Sequence, residues 1–527
     1  MDLTNLSEQA FASVPDLVRA HAQHRPDARA FIQDGETLSY GALDITMDRV
    51  AAALQRDGLS PGDAISICAA TSIAYATVFL GALRAGVVAA PLAPSATPES
   101  LADMVADAGA RHLFVDATNA EALAPVAGHI DAQWLTLDGS DAGTPMEDWL
   151  VPPGTRPDPV TIDPEWPFNI IYSSGTTGTP KGIVQPHGLR WGHIRRGLSE
   201  EYLMGPESVT LLSTPLYSNT TLVPFFQTIA LGGTIVLMAR FDAVRYLELA
   251  EHYRVTHTIL VPVQYQRIMD VPDFDRYDLS SFQCKLCTSA PFQAALMADV
   301  LARWPGHLID NYGMTEGGGV CSLLAHRYPD KLHTVGQPAP GHDIRLIDDD
   351  GNEVGPGEMG EVVGHSPGMM IGYHNQPEKT RETEWYAPDG RRFIRTGDIG
   401  CFDEDGFLVI MDRKKDMIIS GGFNIYPTDL EAVLREHDAV ADCAIVGVPS
   451  ERWGETPVAF VVPAADQAAD PEVLRAWANE RLGKTQRLAD VCLRETLPLS
   501  AIGKVLKRQL REEYQQSTGG GSTNLYE

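Results

Sequence analysis

Hydrophobic positions along the chain form short β-branched runs that alternate with amphipathic helical stretches. The runs FNIIYS, SVTLLST, TIVLM, HTILVP and HLIDNYG predict strands. The stretches AVRYLELAEHYR and FQAALMADVLARW carry apolar residues at helical spacing and predict helices. Such alternation predicts an α/β fold of layers with largely parallel sheets.

The pattern changes in the last third of the chain. From about residue 343, short strands with tight Gly/Asp turns predict a small β unit, and a compact α+β module follows residue 415. We therefore predict a large N-terminal region of layered α/β subdomains plus the small β unit at residues 1–411. We also predict a hinge at 412–415, a small mobile α+β C-terminal domain at 416–515 and a flexible tail at 516–527.

Charge and cysteine usage narrow the range of partners. Forty-one Lys and Arg stand against 70 Asp and Glu, a net charge of −29, so broad binding of nucleic acid or anionic lipid is not expected. Residues 64–83 carry no charge, but a strand, a helix with one face on a sheet and a second strand explain them better than a membrane span. Seven scattered cysteines favour a reducing, cytoplasmic compartment, and the CxxC at 284–287 predicts core residues rather than a zinc site.

A glycine- and hydroxyl-rich segment, YSSGTTGTPKG at residues 172–182, directly follows the strand FNIIY. Its glycines let the backbone approach a ligand closely, and its hydroxyls and Lys181 can contact phosphate oxygens. It is not a Walker loop, because Pro180 precedes the lysine and Gly182 follows it. A flexible linker would have no reason to follow a buried strand, so the segment predicts a phosphate-binding loop.

This loop and several later motifs resemble the adenylate-forming enzymes, the superfamily of acyl-CoA synthetases, luciferases and peptide-synthetase adenylation domains. The later motifs are YGMTE (312–316), TGD (396–398), DRKKD (412–416), ISGGFN (419–424), WGE (453–455) and LPLSAIGK (497–504). Their order and spacing hold from about residue 16 to 513, and the chain is most similar to an AMP-forming acyl-CoA synthetase. The resemblance implies a ligase that joins a carboxylic acid to CoA through an acyl-adenylate, with ATP and CoA as co-substrates and Mg²⁺ as cofactor.

The resemblance also assigns roles to particular residues. The ATP-binding set is Ser173, Ser174, Gly175, Thr176, Thr177, Gly178, Tyr312 (adenine), Asp398 and Arg413 (ribose). The catalytic set is Lys181, Thr315, Glu316 and Lys504. Glu316 would hold Mg²⁺, for which an oxygen ligand is suited, and the compact ammonium of Lys504 would bridge the carboxylate and the α-phosphate. Lys504 is expected to open the final helix, with Lys507 on its solvated face.

Other assignments concern the acid, the hinge and the thiol. The walls of the acyl pocket are implied to be Tyr217, Ser218, Thr220, Pro224, Thr288, Ser289, Asn311 and Val320. Ser218 stands where many relatives have histidine, and Thr288, Ser289 and Asn311 stand where glycines are common. Their bulk and mainly apolar surroundings, without a recognised Arg or Lys, predict an aromatic or short-to-medium monocarboxylic acid. Lys415 is implied as the hinge residue, and Gly421 and Gly422 as the lining of the CoA path.

Alternative functions stay open at this point. Within the family they are a long-chain fatty acid–CoA ligase, an adenylation enzyme that loads a carrier protein, and a luciferase-like oxygenase. The segment LYSN at 216–219 lacks the acid that amino-acid-activating domains use, which disfavours the second alternative. A catalytically inactive nucleotide-binding protein would not need the whole catalytic set. The sequence leaves the oligomeric state open, a homodimer included.

Overall fold

The protein is described by a computed structural model over residues 5–173, 181–420, 423–450, 452–465, 467, 469–483, 486–500 and 504–517. The helices are α1 (Val14–His24), α2 (Tyr40–Arg56), α3 (Ile73–Arg84), α4 (Pro98–Asp107), α5 (Ala117–Leu123), α6 (Met146–Trp149), α7 (His187–Gly197), α8 (Asn219–Ala230), α9 (Ala243–His252), α10 (Pro262–Met269), α11 (Ala294–Arg303), α12 (Pro377–Glu382), α13 (Pro427–Arg435), α14 (Pro471–Arg481) and α15 (Lys507–Ser517). The strands are β1 (Arg29–Gln33), β2 (Glu36–Ser39), β3 (Ala64–Cys68), β4 (Val88–Pro91), β5 (Ala110–Val115), β6 (Gln133–Thr136), β7 (Thr144–Pro145), β8 (Pro167–Ser173), β9 (Lys181–Pro186), β10 (Val209–Leu212), β11 (Thr234–Leu237), β12 (His257–Leu260), β13 (Cys284–Thr288), β14 (His307–Gly313), β15 (Val320–Leu324), β16 (Gln337–Pro338), β17 (Asp343–Ile347), β18 (Gly360–His365), β19 (Gly372–Tyr373), β20 (Glu384–Tyr386), β21 (Arg392–Phe402), β22 (Leu408–Arg413), β23 (Ile418–Ser420), β24 (Phe423–Ile425), β25 (Val440–Ser450), β26 (Gly454–Pro463) and β27 (Asp490–Leu493).

Two large sheets organise the N-terminal region. The nine-stranded sheet has the order β16-β15-β14-β13-β12-β10-β11-β1-β2, and the eight-stranded sheet has the order β19-β9-β8-β4-β3-β5-β6-β7. Neighbouring strands from β10 to β14 and from β3 to β7 pair in parallel, as does β1 with β11. The predicted α/β class with largely parallel sheets is therefore confirmed.

The charge-free stretch at residues 64–83 forms β3 and most of α3. Every residue of α3 except Ala74 is buried, so burial extends beyond the one face that was expected to lie on a sheet. Gly81 allows α3 to lie close to α2, because a Cβ at Gly81 would lie 2.5 Å from Cβ of Val50. Among the described residues, no helix is long and apolar enough to cross a membrane.

Two smaller sheets follow along the chain. One has the order β17-β18-β21-β20 with β22 on β21, and the other has the order β24-β23-β26-β25 with β27 on β26. In the last sheet, Ile445 packs with residues of α13 and α14 while Val446 packs with Leu510 of α15, so helices cover both faces. This arrangement confirms the small α+β C-terminal module.

The chain divides into two compact units. The first unit comprises Met1–Ile344 and Gly364–Ile394, and the second comprises Arg345–Val363 and Arg395–Glu527. The domain limits predicted at residues 411 and 415, the hinge and the tail stay predictions.

Candidate active site

Thr315 and Glu316 lie in the connection between the antiparallel strands β14 and β15 of the first unit. Gly317 and Gly319 have φ angles of 78° and 91°, a region in which residues with side chains are strained. The backbone N–H of Met370 donates to the carbonyl of Glu316 at 2.8 Å. The glycines therefore shape this loop, and a neighbouring segment holds it in place.

Tyr373 joins two of the predicted catalytic residues. Its hydroxyl donates to Oε1 of Glu316 at 2.8 Å, and Nζ of Lys181 lies 5.2 Å from the centre of its ring. Strand β19, which contains Tyr373, pairs with β9, whose first residue is Lys181. This pairing places the Tyr373 ring beside Lys181. Burial, together with the nearby Glu316 carboxylate, raises the pKa of Tyr373, so its hydroxyl remains a donor at neutral pH. A cation and a carboxylate are thus held together, a combination suited to phosphate oxygens and a hard divalent cation.

A buried polar network supports the same loop from behind. Nε2 of Gln185 donates to the carbonyl of Thr315 at 2.6 Å. Arg190, which is fully buried, donates to Oε1 of Gln185 at 2.5 Å, to Oδ1 of Asn219 at 2.9 Å and to Oδ1 of Asn169 at 3.0 Å. Burial lowers the pKa of Arg190 to about 9, which leaves it cationic at neutral pH. Over the part of the chain that the structure describes, Arg190 has no ion pair, and its Nη1 has no hydrogen-bond partner.

Sequence reasoning missed Tyr373, Gln185 and Arg190. Gln185 and Arg190 lie only four and nine residues after Lys181, one at the end of the apolar run GIV and the other in the helix that follows, so their polar side chains were an available signal. Tyr373 lies 192 residues beyond Lys181, and no sequence pattern announced it.

The predicted phosphate loop lies largely outside the described residues. The residues concerned are Ser174, Gly175, Thr176, Thr177 and Gly178. Ser173 is the last residue of β8, and its backbone is paired with that of Lys181 in β9, although its side chain also lies outside the described part. Tyr312 is half-buried in β14, opposite Cys321 of β15.

The structure brings four of the predicted acyl-pocket residues into two contacts. Oγ1 of Thr220 and Oγ of Ser289 are 2.6 Å apart, and Oγ1 of Thr288 donates to the carbonyl of Asn311 at 2.7 Å. Ser289 has a φ of 82°, in the region that favours glycine. The hydroxyls of Thr220 and Ser289 therefore satisfy each other's hydrogen bonding. Ser289 keeps a side chain at a backbone conformation in which glycine would be unstrained.

The remaining predicted wall residues are also placed in the first unit. Ser218 is buried and immediately precedes α8, and Pro224 is buried inside that helix. Tyr217 is half-buried, and this burial raises the pKa of its hydroxyl. Val320 is the first residue of β15.

A cation that was not recognised in the sequence lies close to these walls. Nη2 of Arg196 is 3.3 Å from Nε2 of His342, whose Nδ1 accepts a hydrogen bond from the backbone of Val320 at 3.0 Å. Arg196 also bonds Tyr202, whose hydroxyl donates to Oδ1 of Asn311 at 3.2 Å. Burial lowers the pKa of His342 to about 4, so this histidine is neutral at pH 7. The expected absence of a basic residue near the pocket was therefore wrong.

The second unit carries the predicted ribose-binding pair. Asp398 in β21 is aligned with Arg413 in β22, and Nε of Arg413 lies 3.2 Å from Oδ1 of Asp398. Asp398 is buried, whereas the side chain of Arg413 is 50% exposed. A cavity of about 340 Å³ is lined by Thr396, Gly397, Arg413, Lys414 and Lys415. Burial, with help from neighbouring cations, lowers the pKa of Lys415.

Lys504 is exposed and lies three residues before α15 begins, next to the isolated bridge between Leu499 and Val505. Its backbone N–H donates to Oγ of Ser500 at 3.0 Å, and the Ser500 N–H donates to the Lys504 carbonyl at 2.8 Å. It therefore precedes the final helix rather than opening it. Lys507 is not on a solvated face, since its Nζ lies 2.9 Å from Oε1 of the buried Glu431. The predicted CoA path, Gly421 and Gly422, lies outside the described residues.

The sequence is similar to those of known enzymes along nearly its whole length. The family described as AMP-binding enzyme matches residues 18–374, and the AMP-binding enzyme C-terminal domain matches residues 429–504. A feruloyl-CoA synthase from Amycolatopsis sp is 34% identical over 496 residues, which cover 94% of this chain and 97% of that protein. A fatty acid–[acyl-carrier-protein] ligase, ScoC from Streptomyces coeruleorubidus, is 32% identical over 505 residues, with 94% and 95% covered.

The fold comparison agrees with the sequence comparison. The crystal structure of ATP-bound MatB from Rhodopseudomonas palustris matches with a TM-score of 0.87 and 27% identity, covering 96% of this chain and 100% of that one. The family match covers more than half of the chain, and the feruloyl-CoA synthase and the ScoC ligase share more than 30% identity with nearly all of it. The protein belongs to the AMP-binding, adenylate-forming enzymes and is an acid–thiol ligase of the AMP-forming acyl-CoA synthetase type.

Proposed function

We propose that this enzyme joins an aromatic or short-to-medium-chain monocarboxylic acid to CoA through an acyl-adenylate. The observation that supports the proposal is a pair of contacts among the predicted wall residues. The hydroxyls of Thr220 and Ser289 contact each other, and the Thr288 hydroxyl donates to the Asn311 carbonyl, so residues with side chains stand at positions where glycines would leave more room. A long acyl chain needs a wide tunnel, and glycines rather than these residues would provide it. The 34% identity to a feruloyl-CoA synthase supports an aromatic acid.

The described contacts support a division of labour around ATP. Lys181 and Thr315 would contact phosphate oxygens, Tyr312 would stack on adenine, and Asp398 would accept from the ribose hydroxyls beside Arg413. The Glu316 carboxylate is a hard oxygen donor and fits Mg²⁺, which would offset phosphate charge when bound.

Lys504 would neutralise the charge that develops between the acid and the α-phosphate. It would act in adenylate formation and leave before the thiol attacks, while Lys415 would serve as the hinge. Gly421 and Gly422 would line the path of the pantetheine arm.

A panel of acids in the ATP–pyrophosphate exchange assay tests the acid class. Benzoate, cinnamates and fatty acids from C4 to C18 are compared by kcat/KM, and the proposal expects the optimum among aromatic acids or chains well below C16. Asn311→Gly should move the optimum towards longer acids, because it removes bulk from the wall. An optimum at C16 or above in the unaltered enzyme would contradict the proposal.

The position of Arg196 calls for dicarboxylic acids in the same panel. If a dicarboxylate were preferred, and Arg196→Met abolished that preference while Arg195→Met at its exposed neighbour did not, the monocarboxylate proposal would be wrong.

A second candidate differs only in the thiol that accepts the acyl group. The 32% identity to a fatty acid–[acyl-carrier-protein] ligase favours an acyl carrier protein as this thiol. The adenylate is formed first, and CoA and a phosphopantetheinylated carrier protein are then offered separately. If the acyl group were transferred faster to the carrier protein than to CoA at equal thiol concentration, the carrier protein would be the acceptor in place of CoA.

A further inference from the structure

Outside the site described above, three side chains of the first unit converge on one point. They are Glu201, which precedes β10, His307 at the start of β14, and His326, two residues after β15. One ligand atom from each lies within 4.8 Å of the other two. The register of the β14–β15 pair, in which Ile309 faces Leu324, brings the two histidines side by side.

The hydrogen bonds of the two histidines leave their Nε2 atoms available as ligands. Nδ1 of His307 lies 3.0 Å from the carbonyl of Glu201, and Nδ1 of His326 lies 3.1 Å from the carbonyl of Leu308. A carbonyl can only accept, so both Nδ1 atoms carry a proton, and in its neutral form each ring has a lone pair on Nε2. Histidines that bind metals are oriented in this way by an acceptor on the other ring nitrogen.

Two of the converging atoms are buried without a hydrogen-bond partner in the described part of the chain. They are Oε2 of Glu201 and Nε2 of His326, which lie 3.8 Å apart, beyond hydrogen-bond length. When His326 is neutral, each of these two atoms presents a lone pair to the other and no proton lies between them. Burying two such acceptors together is unfavourable unless they share a cation. Nη2 of Arg327 lies 2.8 Å from the other oxygen of this carboxylate, Oε1.

The two imidazole rings lie face to face, so at least one ring has to rotate before both Nε2 lone pairs, which lie in the ring planes, point at one ion. They are stacked with centroids 4.1 Å apart and planes 4° from parallel. A tetrahedral Zn²⁺ with ligands at about 2.0–2.1 Å separates its ligand atoms by about 3.3 Å, so small side-chain rotations bring all three atoms within reach. The side chains of His326 and Glu201 are 15% and 24% exposed, which leaves a route for the ion.

We propose that Glu201, His307 and His326 form a Zn²⁺-binding site at the end of the β14–β15 pair opposite the Thr315–Glu316 loop. Two imidazoles and one carboxylate are ligands that favour Zn²⁺ over Mg²⁺, and divalent-metal affinities at such sites rise from Mn²⁺ and Fe²⁺ towards Zn²⁺. The bound ion would fasten β14 and β15 to the segment before β10. That segment also carries Tyr202, which bonds Asn311 of the predicted acyl pocket.

Metal binding by the full chain, free of any histidine tag and stripped with a chelator, tests the site directly. Titration with Co²⁺ alone should give visible absorption of the four- or five-coordinate kind for a single ion, and Zn²⁺ but not millimolar Mg²⁺ should abolish it. Absence of this absorption, or its persistence when Zn²⁺ is added, would overturn the proposal.

Variants identify the ligands. His326→Ala, His307→Ala and Glu201→Gln should each weaken Co²⁺ binding at least as much as loss of an outer partner does, about 10- to 100-fold. His252→Ala, at an exposed histidine of α9, is the matched control and should bind as the unaltered chain does. Zn²⁺ should raise the melting temperature of the unaltered chain and of the control, but not of the ligand variants.

Circular dichroism without metal establishes that each variant is folded. Glu201→Gln keeps the shape of the side chain and decides the matter if a histidine variant does not fold. Unchanged Co²⁺ affinity in folded Glu201→Gln would show that these residues are not the ligands.

Discussion

Glu316 in the first unit and Lys504 in the second are assigned to the same reaction, but their surroundings differ. Glu316 is held by the Tyr373 hydroxyl and by the backbone of Met370, next to a carbonyl that Gln185 supports. Lys504 is exposed, and Ser500 bonds its backbone amide and carbonyl. A group fixed beforehand stabilises charge without reorganisation, whereas an exposed group can serve one step and then withdraw.

The largest effect is expected from Lys504→Ala. Loss of one electrostatic group at the reacting phosphate should slow acyl-adenylate formation about 10²-fold or more. Conversion of supplied acyl-adenylate and CoA to acyl-CoA should remain nearly intact, because Lys504 is proposed to act only in the first step. Pyrophosphate exchange and a thioester assay measure the two steps separately.

Arg508→Ala is the control for this experiment, since Arg508 is 62% exposed and pairs with Glu512 one turn along α15. Lys507 is unsuitable because of its ion pair with the buried Glu431. If Lys504→Ala slowed both half-reactions by the same factor, Lys504 would not act in the first step alone, and the proposed difference between Glu316 and Lys504 would be wrong.

A smaller effect is expected from Tyr373→Phe, which leaves the ring but removes the hydrogen bond to Glu316. A hydrogen bond to a charged group contributes about 1.5–3 kcal/mol, so a loss of about 10-fold or more in kcat/KM is expected. The KM for Mg²⁺ should rise, which separates loosening of Glu316 from a general loss of folding. Tyr386→Phe, at an exposed tyrosine of the same unit, should leave both quantities unchanged.

Lys415→Pro should affect the two half-reactions unequally, by several-fold. Proline fixes φ and removes the backbone donor, so rotation at the proposed hinge would be restricted. The ratio of adenylate formation to thioester formation is the quantity to measure. An unchanged ratio would show that Lys415 is not the hinge. The proposal that Lys504 leaves the site after the first step would then lose its structural basis.

The smallest effect is expected on the stability of the first unit, through the buried carboxyl group of Asp310. Burial raises the pKa of Asp310 from 3.8 to about 7. Because the folded state holds this proton more tightly than the unfolded state, the stability it contributes is present below pH 4 and is lost as pH rises towards 7. Asp310→Asn should therefore raise the melting temperature by a few degrees relative to the unaltered chain at pH 8 and by less at pH 5. A difference independent of pH would contradict the assigned pKa.

Local patterns predicted the strands and helices well, because period and turn residues are encoded within a few positions of one another. The run HLIDNYG became β14 residue for residue, and AVRYLELAEHYR contains α9. The contacts of Tyr373 and Lys507 escaped prediction for the opposite reason. Tyr373 meets Glu316 across 57 residues, and Lys507 meets Glu431 across 76, so only the assembled fold reveals that these polar groups are partnered.

Arg196 and Arg190 illustrate a second reason for failure. Both lie in α7, a helix with two basic residues in its last turn and little amphipathic character. A basic helix ordinarily indicates a solvated face, yet Arg190 is fully buried among amides and aromatic rings. Sequence composition does not distinguish a buried cation satisfied by amide oxygens from a solvated one.

The pairing of β1 with β11 has a consequence during synthesis of the chain. β1 leaves the ribosome about 200 residues before its partner, which at about 5–20 residues per second is a delay of about 10–40 s. Throughout that time Phe31 and Ile32, which are buried in the finished protein, lack the strand that completes their sheet. The nascent N-terminal segment therefore exposes an unpaired apolar strand edge, a surface prone to aggregation, long before the enzyme can bind ATP.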